Sequence, residues 1–272
     1  MPRRKRSPDE NKLKQGRGQG HGEDYSPYLT VREVPSDGLC HRIKGCKTNR
    51  THHFLSSLER DYFYILEWSP IVVDIREQFR LEFDETLAIA NRLGINHPSD
   101  MKTKEPIVMT TDFLIDFNHD GGIRQKARSI KMSQDLSSPR VIEKQEIERT
   151  FWSERGTDWG IVTEREIPKP LTENIQWIHR AMLPDGAPEI PEQMILQAER
   201  ALFDAINGSP HKPLSHLTTG VDCLLGLRPG MSLSLVKYLL ASRQWMVDMR
   251  KELSTDKPLH PSRAVMLKEE NA

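Results

Sequence analysis

The spacing of apolar and polar positions divides this chain into a mixed α/β part and a later, mainly helical part. Over 55–68, Leu55, Leu58, Tyr62, Ile65 and Leu66 recur at three- and four-residue spacing, which predicts a helix with one buried face. Ser56 or Ser57 is placed to cap its start. Over 108–117 the period drops to two. Met109, Thr111, Phe113, Ile115 and Phe117 share one face of a strand, and Val108, Thr110, Asp112, Leu114 and Asp116 share the other. The sequence N-H-D-G-G at 118–122 reads as a hairpin turn with glycines for positive φ, and the returning strand spans 124–132. Four of its nine residues are basic, which suits a sheet edge or a surface facing DNA.

The apolar run at 71–75 predicts a further strand. Ser138-Pro139 opens a helix that runs to about 155 and stops at Gly156, and 158–163 supplies the next strand. Strand, helix, strand is the alternation of an α/β fold, here a mixed sheet flanked by helices. Pro168 and Pro170 mark a boundary and 183–191 a second break. Helices are expected beyond it at 191–206, 213–225 and 232–243, with Pro229-Gly230 between the last two. That order allows two readings, a winged-helix DNA-binding domain or a helical packing module without DNA contact. In the first, Lys237, Arg243 and Arg250 are the candidate basic contacts. The expected organisation is a basic flexible arm (1–26), an α/β domain (27–168) and a smaller helical domain (169–272).

Composition narrows the class. With 29% charged and 36% hydrophobic residues the chain can build a core. No run approaches the about 18 apolar residues of a membrane span, and the N-terminus carries no apolar signal region. Three cysteines, Cys40, Cys46 and Cys223, cannot all pair, which fits a reducing cytoplasm. Cys40, His41, Cys46, His52 and His53 cluster, but the C-x5-C spacing is wider than a zinc knuckle and adjacent histidines diverge. The same stretch carries Arg42, Lys44, Lys47 and Arg50, so it reads as a basic loop near DNA or as a solvated hairpin loop. Thirty-nine basic residues balance thirty-nine acidic ones, unlike an autonomous DNA binder. Residues 1–17 depart from this balance, with seven Lys or Arg (Arg3, Arg4, Lys5, Arg6, Lys12, Lys14, Arg17) against two acids. That stretch is expected to be disordered when free, lying along phosphates or acting as a solubilising tail. G-R-G-Q-G-H-G at 16–22 lacks the G-K-[ST] ending of a phosphate loop and follows no strand, which excludes a nucleotide site there.

Three charged residues carry the candidate chemistry. Glu59 lies at the edge of the apolar stripe of the first helix, where a half-buried carboxylate costs free energy unless compensated. Taken alone it reads as a snorkelling helix-edge acid. Asp112 sits in mid-strand between apolar neighbours, and the hairpin returns Lys131 to its vicinity. Helix acid, strand acid and next-strand lysine is the layout a metal-dependent phosphodiesterase needs. Two carboxylates hold hard divalent cations through oxygen while an ammonium sits beside the attacking water.

The order Glu on a helix, D-F-L-I-D, then I-K matches the PD-(D/E)xK nuclease superfamily. Longer strings resemble one family within it, the TnsA endonucleases of heteromeric cut-and-paste transposons. They are G-R-G-Q-G-H-G at 16–22, D-Y-S-P-Y-L-T-V-R-E-V-P-S at 24–36 and L-E-W-S-P-I-V-V-D-I-R-E-Q-F at 66–79. M-T-T-D-F-L-I-D at 109–116, I-E-K-Q-E-I-E-R-T-F-W at 142–152 and T-E-N-I-Q-W-I at 172–178 follow in order. Beyond 180 the resemblance is weak.

The resemblance implies a restriction-endonuclease-like catalytic domain followed by a winged-helix-type domain. It implies that Glu59 and Asp112 hold Mg²⁺, with Mn²⁺ able to substitute, that Lys131 is the catalytic lysine, and that the main-chain carbonyl of Ile130 is a further ligand. Ser129 stands where the family has a metal-site glutamine, and its shorter side chain reaches a metal only through water. Glu148 matches an additional acid near the family's site, although by sequence alone it reads equally as part of a solvated helix face. Arg17, Arg42, Lys44, Lys47 and Arg50 are the candidate DNA contacts. The implied activity is cleavage of the 5′ ends of the element, with a TnsB-like transposase cutting and joining the 3′ ends. A TnsC-like ATP-dependent regulator completes the assembly, in the bacterial cytoplasm at the nucleoid. A stand-alone restriction or repair nuclease, and an inactive assembly subunit as the Ser129 departure allows, are the competing readings.

Overall fold

The computed structural model describes residues 8–33 and 39–264. It divides into two units, Met1–Pro168 and Lys169–Ala272.

The first unit runs α1 (Pro8–Lys14), β1 (His41–Lys44), β2 (Thr51–Phe54), α2 (Ser57–Trp68), β3 (Val72–Arg80), α3 (Phe83–Leu93), β4 (Thr110–His119), β5 (Gly122–Ile130), α4 (Pro139–Ser153) and β6 (Asp158–Val162). β1 and β2 form a separate antiparallel hairpin, and the main sheet has the order β3-β4-β5-β6. β3, β4 and β5 are antiparallel, while β6, reached through α4, runs parallel to β5. The β4–β5 turn is tight because Asp120 and Gly121 both adopt positive φ, 47° and 76°.

β5 is an interior strand and not the edge its composition suggests. Two of its basic residues face Asp158 at the start of β6, Arg128 Nη2 at 2.9 Å and Lys126 Nζ at 4.0 Å, and Arg124 lies 3.9 Å from Asp120. Leu114 of β4 and Ala127 of β5 pack with Ile89 and Ala90 of α3 and with Ile147, Phe151 and Trp152 of α4. Phe113 of β4 meets the rings of Phe54 and Tyr62. α3 has no counterpart in the sequence reading; it ends on Gly94, whose φ of 67° lets its N–H return to Ala90 and Asn91.

The buried side of α2 also differs from expectation. Glu59, Phe63, Tyr64, Leu66 and Glu67 are the buried residues, while Leu55, Leu58, Tyr62 and Ile65 are only partly covered. Glu59 therefore points inward.

The described part of the expected flexible arm packs onto the sheet. Tyr25 and Tyr28 are buried, the Tyr25 hydroxyl donates to the Glu77 carbonyl (3.0 Å), and the Tyr28 N–H donates to the Gln78 carbonyl (3.2 Å). A Cβ at Gly18 would come 2.6 Å from Arg80 Cβ, so only glycine lets the loop approach β3 this closely. Both aromatics lie beyond 1–17, the stretch whose basic composition carries the expectation of disorder, and Tyr28 lies beyond the expected arm itself. Arg3, Arg4, Lys5 and Arg6 lie outside the described residues, as do Val34, Pro35 and Ser36 of the second resembling string.

The second unit contains α5 (Lys169–Met182), α6 (Glu192–Gly208), α7 (Leu214–Leu225), α8 (Met231–Ala241) and a two-residue ladder of β7 (Trp245–Met246) with β8 (Ser262–Arg263). Ile175, Ile178, Leu202, Leu235, Val236 and Trp245 form its apolar interior. α7 and α8 are joined through Gly226 and Gly230, both at positive φ. Asp222 accepts from the N–H groups of Gly230 and Ser232 and so caps α8 (2.7 and 2.8 Å). Helix, turn, helix and short ribbon follow one another as in a winged helix, but α8 turns Leu235, Val236, Leu239 and Leu240 inward. Its one basic residue, Lys237, lies against the Trp177 ring with Nζ 4.6 Å from the centroid.

Candidate active site

The N-terminus of α2 fixes the first acid. Ser56 is the N-cap, its Oγ accepting the Glu59 N–H at 3.2 Å, and its hydroxyl also lies 2.9 Å from Glu59 Oε1. Glu59 reaches back to accept the Leu55 N–H on Oε2 at 3.0 Å, a reciprocal box that satisfies helix-end donors. The residue is 7% exposed. Burial, and after it the Asp112 carboxylate, push its pKa up to about 7.

The β4–β5 register then assembles the second cluster. Phe113 pairs with Arg128, which sets Asp112 beside Ser129 and Ile130. Asp112 Oδ2 accepts three donors: the Ile130 N–H at 2.6 Å, Lys131 Nζ at 2.8 Å and Ser129 Oγ at 3.3 Å. Lys131 Nζ also donates to the Ile130 carbonyl at 2.8 Å. Burial would lower the lysine pKa, but the Asp112 carboxylate outweighs it and holds the ammonium above its ordinary value. Ser129 is buried with its hydroxyl directed at Asp112 Oδ2.

Glu148 of α4 belongs to the same neighbourhood. It is 3% exposed and accepts from Trp159 Nε1 at 3.0 Å. Burial first, then Asp112, push its pKa up to about 7, while Lys131 pulls it down. The solvated helix face that sequence alone allowed is not where it lies. Gln78 of β3 was missed entirely: its side-chain amide lies 3.3 Å from Glu59 Oε2 and accepts from Thr110 Oγ1 at 3.1 Å.

Glu59, Asp112 and Glu148 thus face one ammonium, Lys131. Two of the acids are held near neutrality by burial and by a neighbouring carboxylate. That is the donor chemistry of a site short of positive charge, and hard carboxylate and carbonyl oxygens suit a divalent cation of the magnesium type.

The other candidate contacts separate. Arg42 and Lys44 project from β1 into solvent and Lys47 is partly covered. Arg50 turns inward, giving Nη1 to Glu77 Oε1 at 2.8 Å and Nη2 to the Ile75 carbonyl at 2.7 Å, so it is withdrawn from any DNA surface. Arg17 pairs with Glu33. The zinc cluster does not assemble, because His52 is engaged by Thr48 Oγ1 (2.7 Å) and Glu77 Oε2 (2.8 Å). Among the described residues, the metal-ligating group whose donor atoms converge is instead His21, Asp74 and Asp116. Arg76 already bridges its two carboxylates, which makes it an ion-pair network at a different point of β4 from Asp112.

A mixed sheet flanked by helices, with a helical unit after it, is the framework of a restriction-endonuclease-like enzyme. Residues 69–164 match the family model of the TnsA-like endonuclease N-terminal domain, and 166–249 that of the TnsA endonuclease C-terminal domain. The Transposon Tn7 transposition protein TnsA of Escherichia coli is 39% identical over 231 residues, covering 85% of this chain and 82% of that protein. The chain belongs to the TnsA family of transposon endonucleases. Asp112, Lys131 and Glu148 fall within the first matched domain, and Glu59 precedes it. No helix among the described residues is long and apolar enough to cross a membrane.

Proposed function

We propose that this protein cleaves the 5′ ends of a transposon by metal-dependent hydrolysis of a DNA phosphodiester. The observation that carries the reading is the convergence of Ser129, Ile130 and Lys131 on one oxygen of Asp112, beside two buried acids pushed up to about 7. Glu59, Asp112 and the Ile130 carbonyl would hold Mg²⁺, with Mn²⁺ able to replace it. When bound, such an ion makes water a nucleophile near neutral pH and offsets charge on the leaving oxygen.

The chain's own residues supply the rest. All three donors to Asp112 meet at Oδ2, which leaves Oδ1 to face a cation. Lys131 is a cation throughout the physiological range, since its pKa is raised, so its role is electrostatic and not that of a base. It orients the attacking water and meets the charge that grows on the non-bridging phosphate oxygens. The water oxygen bonds to phosphorus and gives up a proton to solvent as the P–O3′ bond breaks, and the 3′ oxygen takes a proton from solvent, leaving a 5′ phosphate and a 3′ hydroxyl. Glu148, when ionised, adds to the negative field that favours the charged form of Lys131.

Partners of two kinds complete the reading: a TnsB-like transposase that cuts and joins the 3′ ends, and a TnsC-like ATP-dependent regulator. A formal charge of +0 suits a subunit delivered to DNA by others. The test is a reconstituted reaction with Lys131→Ala. The 3′ ends should still be cut and joined while the 5′ ends stay attached to the donor, which shifts simple insertions to fused donor–target products. Simple insertions at the wild-type frequency would remove Lys131 from the mechanism. Efficient cutting of end DNA by the chain alone would favour a stand-alone nuclease.

A further inference from the structure

We infer that Gln78 is a positioning residue that sets the separation of Glu59 from Asp112, and with it the affinity of the site for its metal. The inference rests on the reading of Glu59 and Asp112 as metal ligands. Glu77 pairs with Phe113 and Phe79 with Thr111, so Gln78 stands opposite Asp112 in the β3–β4 register. It interrupts an otherwise regular strand: its φ is +49°, a left-handed value that a buried glutamine in a strand adopts only when the surroundings enforce it.

Two sets of contacts enforce it. The main-chain carbonyl accepts the Tyr28 N–H at 3.2 Å, tying the residue to the loop that packs on β3. The side chain joins α2 to β4, donating from Nε2 to Glu59 Oε2 at 3.3 Å and accepting from Thr110 Oγ1 at 3.1 Å. The amide orientation follows from its partners, because a carboxylate needs the NH₂ and a hydroxyl can donate to the oxygen.

The consequence concerns which carboxylate oxygen remains available. Glu59 Oε2 receives the Leu55 N–H and Gln78, while Oε1 receives only the Ser56 hydroxyl. Gln78 therefore completes the occupation of Oε2 and turns Oε1 outward as the ligand. It also fixes that oxygen relative to Asp112, two residues along β4 from Thr110. Without the amide, the Glu59 side chain keeps its helix cap but loses its tie to the sheet. Groups that orient metal ligands in this way change metal affinity by about 10–100-fold when removed.

The left-handed backbone makes the inference separable from a structural role. Gln78→Gly removes the amide and at the same time relieves the φ constraint, so it should leave the melting temperature of the full-length protein unchanged or higher. Mn²⁺ affinity, measured by calorimetry or by the EPR signal of free Mn²⁺, should fall about 10–100-fold. The metal concentration for half-maximal end cleavage in the reconstituted reaction should rise in parallel, with the rate at saturating metal falling less. Gln78→Asn tolerates positive φ but is one methylene too short to span Glu59 and Thr110, and should show the same loss. If both variants bind Mn²⁺ as tightly as the wild type while Glu59→Gln binds none, the positioning role is overturned and the metal site stands. If Glu59→Gln itself binds Mn²⁺ and cuts as the wild type does, the site reading falls and this inference with it.

Discussion

In the first unit Arg50, His52, Glu59, Asp74, Arg76, Glu77, Gln78, Asp116 and Glu148 are all buried, whereas the second unit buries Ile175, Ile178, Leu202, Leu235, Val236 and Leu239, and its one buried carboxylate among the described residues, Asp222, caps α8. Both units have an apolar core, but the first also buries a set of acids and arginines, while the buried polar groups of the second are mostly uncharged. The contrast sharpens inside the first unit, because its buried acids are of two kinds. Glu77 is fully satisfied. Burial opposes its ionisation, but His52 and Arg50 outweigh burial and hold the carboxyl well below the usual range. Glu59 and Glu148 are also buried but have too few cationic neighbours, and both are pushed up to about 7. A matched buried acid such as Glu77 is a structural ion-pair partner, while the unmatched Glu59 and Glu148 belong to the proposed metal site.

The largest expected effect tests that division. Asp112→Asn or Glu59→Gln should lower end cleavage by about 10²–10³-fold, the scale of losing a group that stabilises transition-state charge. The melting temperature should not fall for Glu59→Gln, which removes an acid short of cationic partners, whereas Asp112→Asn also takes away the ion pair with Lys131 and should cost some stability while the chain stays folded. A collapse of the fold in either variant would place these acids with Glu77 instead. Glu77→Gln should do the opposite, costing about 3–5 kcal/mol because Arg50 and His52 are left buried without their partner. In the second unit a comparable loss, about 2–5 kcal/mol, should require an apolar truncation such as Leu235→Ala. Denaturant melts of the four variants make the comparison.

What could be read from the sequence was what depends on local pattern. The hairpin at 118–122 and the alternation through β4 brought Lys131 to Asp112, and the resemblance to the nuclease layout, not local pattern, joined Glu59 to them. Features that depend on distant partners were hidden. Arg50 looks like Arg42 until Glu77, 27 residues away, draws it inward. Glu148 looks like Glu143, Glu146 and Glu154, which the structure pairs with Arg140, Arg149 and Arg92 at the surface. α3 buries Thr86, Ile89 and Ala90, a face too small and polar to show as a stripe. α5 was masked because Pro168 and Pro170 read as breaks, although proline is well tolerated in a first turn. Nothing in the residue type marks Gln78, since positive φ at a glutamine has no signature.

An intermediate effect comes from pH. Glu59 and Glu148 ionise near 4.5 in the unfolded chain and near 7 in the native, metal-free protein. Between those values the native state binds more protons, so metal-free stability should fall as pH rises through about 5 to 7 and level off above, on the order of 1–3 kcal/mol per group. Glu148→Gln should make the slope shallower. Added Mg²⁺ should restore stability most at the alkaline end, where Glu59 is ionised and able to bind. Thermal melts across pH 5 to 8, with and without Mg²⁺, measure this; a stability that rises through the window would show that the acids are matched after all.

The smallest effect separates basic residues that face DNA from those that serve the fold. Arg42 and Lys44 alternate outward along β1, whereas Arg50, just before β2, is 8% exposed and pairs with Glu77. Removing one cation that neutralises a phosphate reduces the slope of log affinity against log salt by about 1. Arg42→Ala and Lys44→Ala should therefore each weaken end-DNA binding by a few-fold, lower the salt slope by about that amount, and leave the melting temperature where it was. Arg50→Ala should leave the salt slope unchanged in whatever protein remains folded, and lower the melting temperature, because it strands Glu77 in the interior. Binding assays across salt concentrations with the transposase present read both quantities at once. A salt slope reduced by Arg50→Ala in the folded protein would mean that the β1–β2 hairpin opens on DNA and turns this arginine outward.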